Sequence, residues 1–247
     1  MVINYHHESY YAILAFLKSM DEYAARVAKS ALKLEAIKLN PSNLFVWASG
    51  FQMPIYNDNR LFMSSVQDRG LVLDALEDLI QKNRIEFEVV AGTSTAGIPW
   101  AAWLAHRRDL PMVYIRDKPK DHGLRNQIEG IAADKGLEGR KTVVIEDLIS
   151  TGGSSVKAVE AVREAGGNCV DCVSIFNYGF DEAASRFGAL APPCQVSSVL
   201  DYKTLVGVAI RIGGVRPQDA EVLREWDADP FGFGEKRGFP KIERIKS

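Results

Sequence analysis

The chain has 247 residues, a net charge of -2 and an isoelectric point near 6.1. That length suits one large domain or one domain with an appendage, and the lack of basic excess argues against a nucleic-acid partner. No apolar run approaches the ~20 residues that cross a bilayer, and MVINYHHESYY has no basic start before an apolar core, so a cytoplasmic location is expected.

Tyr10, Ile13, Leu14 and Leu17 predict a helix over Ser9–Lys18, and Tyr23, Val27, Ala31, Leu34 and Ile37 a second over Asp21–Lys38. His6-His7 near the terminus reads as solvated. Asn40-Pro41-Ser42-Asn43 is a turn. Leu44–Ala48, Pro54–Asn57 and Arg60–Ser64 read as strands of a small antiparallel piece, and Gln67–Gln81 as a helix through Leu71, Leu73, Leu76, Leu79 and Ile80. The pattern then alternates. Phe87–Ala91 is a strand, Pro99–Arg107 a helix closed by His106 near its C-terminal dipole, and Met112–Ile115 a strand. Arg116–Glu129 is charged and aperiodic, hence a loop. Thr142–Glu146 is a strand, Ser154–Glu164 a helix, Cys169–Phe176 a strand, Asp181–Phe187 a helix and Val196–Leu200 a strand. Such alternation predicts right-handed crossovers and a mostly parallel sheet, with ligands at the strand C-terminal ends. Two short helices follow, around Leu205–Ile210 and Val222–Trp226. Asp229–Gly234 is expected to end regular structure, leaving EKRGFPKIERIKS as a loosely held basic tail.

Three cysteines, Cys169, Cys172 and Cys194, are too few for a disulfide framework. Cys169 and Cys172 stand three apart on a predicted strand, so they are expected on opposite faces, as structural thiols rather than a zinc site.

The most informative stretch is Lys141–Ser155, KTVVIEDLISTGGSS. A buried strand leads to two adjacent acids, Glu146 and Asp147, and then Ser150-Thr151-Gly152-Gly153-Ser154 opens a helix. Glycines let the backbone approach a phosphate, helix-start N–H groups point at it, and the hydroxyls add donors. No Lys follows the glycines, which excludes a Walker loop, and the acids precede the cradle rather than following by ~20 residues as a dinucleotide loop requires. An acid pair just ahead of a phosphate cradle suits the diol of a ribose 5-phosphate, with a metal ion alongside.

VVIEDLISTGGSS resembles the 5-phosphoribosyl-1-pyrophosphate (PRPP) signature of the type I phosphoribosyltransferases, and its wording resembles the orotate phosphoribosyltransferases. The resemblance spans roughly Asp21–Trp226. It implies an α/β fold with a central mostly parallel sheet flanked by helices and a small N-terminal helical and antiparallel hood. Residues 1–66 would form the N-terminal helices and base-binding hood segment, 67–215 the phosphoribosyltransferase core, and 216–247 a C-terminal helix and tail, within one structural domain.

Three further segments gain meaning from this. RDKPKDHG (Arg116–Gly123) clusters cations suited to a polyanion, and it resembles the family's hood loop ending K-D-H-G. Arg116, Lys120 and His122 match residues that act across a dimer interface, so a homodimer with shared sites is implied. AGTSTAGIP (Ala91–Pro99) resembles the pyrophosphate loop, with Ala96 where many relatives carry Lys. WASGFQMPIYNDNR (Trp47–Arg60) resembles the base-binding segment through Ser49, Gly50, Pro54 and Tyr56. Ala48 and Gln52 stand where relatives carry Lys.

The implied reaction is transfer of the 5-phosphoribosyl group of PRPP to orotate, with Mg2+, giving orotidine 5'-monophosphate and pyrophosphate in pyrimidine (UMP) synthesis. Glu146 and Asp147 would hold the ribose hydroxyls near the Mg2+, without ligating it directly. Leu148, Ile149, Ser150, Thr151, Gly152, Gly153 and Ser154 would hold PRPP together with Arg116. Lys120 and His122 would stabilise the leaving pyrophosphate, and Ser150 and Tyr56 would meet orotate. The alternatives are a PRPP-binding regulatory protein or a transferase for another base on the same fold.

Overall fold

The computed structural model describes residues 21–117, 127–131 and 135–243. Two units emerge: residues up to Ser64 together with those from Lys203 onward, and Ser65–Tyr202.

In the first unit, helix α1 (Glu22–Lys33) is N-capped by the Asp21 carboxylate, which accepts from Tyr23 N–H at 2.8 Å and Ala24 N–H at 3.2 Å. The sequence pattern carries this helix to Lys38, but the chain leaves it at Leu34. Glu35 turns left-handed at φ 55, and β1 (Ile37–Leu39) pairs antiparallel with β4 (Ile55–Asn57). Ile37 therefore fits a helical spacing yet is buried from a strand. The strand expected from Leu44 shrinks to β2 (Phe45–Val46), antiparallel to β3 (Gln52–Met53). Asn59–Ser64, read partly as a strand, is a 3-10 helix.

The second unit starts with α2 (Val66–Lys82), capped by Ser65. Strands β5 (Val89–Thr93), β6 (Met112–Ile115), β7 (Ile128–Glu129), β8 (Lys141–Ile149), β9 (Asn168–Asn177) and β10 (Gln195–Asp201) form one sheet in the order β10-β9-β8-β5-β6-β7. All neighbours are parallel except β6 and β7. Crossovers run through α3 (Gly97–Arg108), α4 (Gly153–Glu164) and α5 (Asp181–Gly188). Because helices cover both faces, β5 is buried at every position and reads as an unbroken apolar run. The mostly parallel α/β sheet expected from the alternation is thus present. Ile128–Glu129, taken as loop, pairs back onto β6.

Two expectations about β8 and β9 change. First, β8 does not stop at Glu146 but runs through both acids to Ile149. Second, β9 carries a bulge: Asn168 pairs with Lys141 while Asp171 pairs with Val143. The extra residue resets the alternation. Cys169 and Cys172 therefore do not face opposite ways; both lie in one buried cluster with Cys194, Val159 and Val162. All three thiols are free, and burial pushes the Cys172 thiol well up, so they serve as core residues.

The first unit resumes with α6 (Tyr202–Arg211) and α7 (Pro217–Ala228), the two helices expected after the sheet. Regular structure does not end at Gly234. A further turn, α8 (Phe233–Lys236), buries Phe233, and the following segment is hydrogen-bonded rather than loose, with Ile242 N–H donating to Gly50 O at 2.9 Å. Among the described residues, no helix is long and apolar enough to cross a membrane.

Candidate active site

Consecutive strand residues alternate in direction, so running β8 through the acid pair gives the two carboxyl groups different surroundings, although they stay close enough to interact. Glu146 is buried at 6% exposure and Asp147 is half-buried. Glu146 Oε1 accepts from Thr93 Oγ1 at 2.7 Å and from Asp147 N–H at 3.0 Å, and its Oε2 accepts from Ser155 Oγ at 2.9 Å. One carboxyl group therefore ties the end of β5 to β8 and to the first turn of α4. Burial first, and then the neighbouring Asp147 charge, push Glu146 up to about 8, against the lowering effect of the Thr93 and Ser155 hydroxyls. Glu146 therefore holds its proton well above the usual carboxylate range.

The turn after β8 is shaped by Gly152. It adopts φ 77, a left-handed conformation that suits glycine, and a Cβ there would sit 3.2 Å from Ala183 Cα and 3.3 Å from the Phe187 ring. Gly152 is the N-cap of α4 and provides no side-chain cap; the first helical bond is Val156 N–H to Gly152 O at 2.9 Å. The amides ahead of Val156 have no acceptor within the helix. The same holds at α3, whose N-cap Ala96 makes no side-chain hydrogen bond. A Cβ on Gly97 would lie 2.5 Å from Ile145 O, so only glycine lets this helix start press against β8. Two uncapped helix N-termini thus stand at the C-terminal ends of neighbouring parallel strands, β5 and β8, beside the acid pair.

Ser150 and Thr151 are half-buried in the turn, and Ser154 is exposed on the first turn of α4. Leu148 is half-buried. Ile149 is fully buried, so only its backbone faces the turn, and its carbonyl accepts from Tyr178 N–H at 3.0 Å. Three participants escaped the sequence reading. Ser155 and Thr93 hold Glu146, and their only sequence signal was membership of the two small-residue loops. Arg186 on α5 brings Nη1 within 3.7 Å of where a Gly153 Cβ would stand, while pairing with Glu182 at 2.7 Å. Its i,i+4 spacing from Glu182 looks like any surface pair.

Arg116 follows β6. Its Nη1 lies 3.5 Å from Glu129 Oε1, and its backbone N–H donates to Gln127 O at 2.9 Å. Lys118, Lys120, Asp121 and His122 lie outside the described residues. Tyr56 belongs to the first unit, 40% exposed on β4 with its ring 5.8 Å from that of Phe45. Ala48 is exposed, and the Gln52 amide donates to Pro240 O at 2.9 Å. No three His, Cys, Asp or Glu side chains converge as a metal cage among the described residues.

Comparison with known proteins gives this geometry its context. The phosphoribosyl transferase domain family matches residues 64–200. The chain is 46% identical over 203 residues to an orotate phosphoribosyltransferase of Staphylococcus aureus (strain N315), spanning 82% of this chain and 97% of that protein. It is 44% identical over 208 residues to that of Cytophaga hutchinsonii, spanning 84% and 97%. The solved orotate phosphoribosyltransferase of Aeropyrum pernix superposes with a TM-score of 0.64 at 27% identity, covering 77% of this chain and 99% of that one. Similarity at this level, running through nearly the whole of each relative, means that the chain belongs to the orotate phosphoribosyltransferases of the type I phosphoribosyltransferase family.

Proposed function

We infer that this chain transfers the 5-phosphoribosyl group of PRPP to orotate, yielding orotidine 5'-monophosphate and pyrophosphate for pyrimidine synthesis. The observation that carries the reading is the pair of uncapped helix N-termini at the ends of β5 and β8, flanking Asp147. One suits a phosphate and the other a pyrophosphate, which is the spread of charge on PRPP. Identity near one half to orotate phosphoribosyltransferases favours catalysis over a purely regulatory role.

In this reading the α4 amides with Ser150, Thr151, Gly152, Gly153 and Ser154 hold the 5-phosphate, backbone around Leu148 and Ile149 shapes the approach, and Asp147 binds the ribose hydroxyls. Glu146, engaged with Thr93, Ser155 and the Asp147 amide, keeps Asp147 and the cradle in register. The loop after β5 receives the pyrophosphate. As the bond to pyrophosphate breaks, positive charge builds on the sugar carbon and the pyrimidine nitrogen attacks it. The protein's contribution is positioning and charge stabilisation. Mg2+ fits this donor set as an ion carried on substrate oxygens and water beside one or two carboxylates, where it would neutralise the pyrophosphate charge. Arg116, Lys120 and His122 would reach the site of a partner subunit in a homodimer, and Tyr56 and Ser150 would meet orotate.

Incubation with PRPP, Mg2+ and a panel of bases tests this. Orotate absorbance should fall with matching pyrophosphate release, while other bases leave both signals flat; release with another base alone would overturn the assignment.

A further inference from the structure

The chain after Pro230 lies beyond the wording that resembles the family, yet it is built against the hairpin of the base-binding segment. That hairpin has two paired residues on each strand, β2 and β3, and is too short to be held by its own ladder. The C-terminal segment supplies the missing fixings. Ile242 N–H donates to Gly50 O at 2.9 Å, and Gln52 Nε2 donates to Pro240 O at 2.9 Å. Lys241 Nζ stands 4.7 Å from the centroid of the Phe51 ring, which meets Phe231 edge-on at 5.3 Å. The segment is itself anchored: Arg237 Nε donates to Glu225 Oε2 at 2.9 Å, and Phe233 is buried.

Both sides are shaped for this contact. Gly50 has φ 86, and a Cβ on it would collide with the Ile242 carbonyl oxygen. A Cβ on Gly234 would lie 2.7 Å from Phe239 O and 3.3 Å from Gln52 O. Close backbone approach at two separate glycines, one on each partner, is the mark of a built interface rather than of a tail lying by chance on a surface.

We propose that Phe239–Ile242 is a strap that positions the base-binding hairpin, and that its hold on Gly50–Gln52 sets the affinity for the base. This rests on the reading that the hairpin serves the base. The strap and the hairpin share the first unit, whereas the loops of β5 and β8 that are read as the PRPP site belong to the second, so the proposal assigns the strap to one substrate only. Ile242, Pro240 and Lys241 are positioning residues, acting through the hairpin.

Two variants test the proposal: Ile242→Pro, which deletes the amide donor, and a chain ending after Gly238, which deletes the strap. Ile242→Ala is the control, since it keeps the amide and its side chain is 44% exposed. Amide hydrogen exchange across residues 45–53 should quicken about 10-fold in both test variants, the scale of one or two lost hydrogen bonds. KM for orotate should rise by a similar factor, with KM for PRPP within about twofold of the unaltered chain, and Ile242→Ala should match that chain throughout. Unchanged exchange overturns the strap's hold. Faster exchange with unchanged orotate KM, or with both KM values rising together, overturns its role toward the base. If the unaltered chain turns over no orotate, the functional reading falls and the base claim with it, while exchange still reports separately whether the strap holds the hairpin.

Discussion

Glu146 offers the sharpest test of the site's architecture, because its charge state and its hydrogen bonds predict different things. Folding raises its pKa from 4.5 to about 8. The folded protein therefore binds a proton that the unfolded chain has released across most of that interval. The sign follows: this stabilising contribution is complete below about pH 4.5 and is lost as pH rises through about 8. Where the difference is a full proton, stability should fall by about 1.4 kcal/mol per pH unit from this group alone. Glu146→Gln imitates the protonated form and cannot titrate. Its stability relative to the unaltered chain should therefore rise with pH between about 5 and 8. Glu146→Ala is different in kind. It strands the donors of Thr93, Ser155 and the Asp147 amide, three bonds each worth about 1 kcal/mol, so a loss of about 2–4 kcal/mol relative to Gln is expected at every pH, since neither variant titrates. Urea unfolding followed by tryptophan fluorescence at pH 5, 6, 7 and 8 measures all three proteins. Parallel pH curves for Gln and Glu, or a Gln variant as unstable as Ala, would refute the picture of a buried, protonated tie.

Four other outcomes are expected. Asp147→Asn should cut turnover about 100-fold or more while leaving the fold intact, as befits a preorganised charge at the ribose; steady-state kinetics with a circular dichroism control checks it. Gly153→Val should weaken PRPP binding measured by calorimetry, since the side chain would intrude where the α4 amides meet phosphate. Arg186→Ala should raise KM for PRPP several-fold and flatten its salt dependence, because it removes an exposed cation from the cradle rim. Lys120→Ala and Asp147→Asn homodimers should each be nearly inactive, and mixing them should restore about one quarter of normal activity if sites are shared across a two-fold dimer; no recovery after subunit exchange, proven by mass spectrometry, would place the loop in its own chain's site.

The parallel sheet and the helix start after β8 are legible because both rest on local patterns. Unbroken apolar runs mark strands buried on both faces, and Ser-Thr-Gly-Gly after such a run marks a helix start with little to cap it. Ile37 misled because its spacing suits a helix, and nothing local announces that Glu35 turns left-handed and hands the chain to a strand. The cysteines misled because alternation was counted through a bulge, whose position depends on pairing with β8. The C-terminal segment reads as a loose tail by composition alone. Its fixings are a backbone bond to Gly50 and one from a glutamine amide, contacts between residues about 190 positions apart that no periodicity encodes.

The acid pair shows where the sequence reading stopped short of its own logic. Two adjacent acids at a strand's end look like two ligands, but two adjacent acids within a strand must face opposite ways. Extending β8 by three residues, to Ile149, converts a symmetrical pair into a division of labour. Asp147 is left half-buried, and Glu146 is turned inward, where burial raises its pKa and three donors fix it. A carboxyl group is the side chain that accepts on two oxygens at once and joins two loops through Thr93 and Ser155. Each loop begins a helix whose first amides are uncapped. The inward acid thus ties together the starts of two helices that lack side-chain caps.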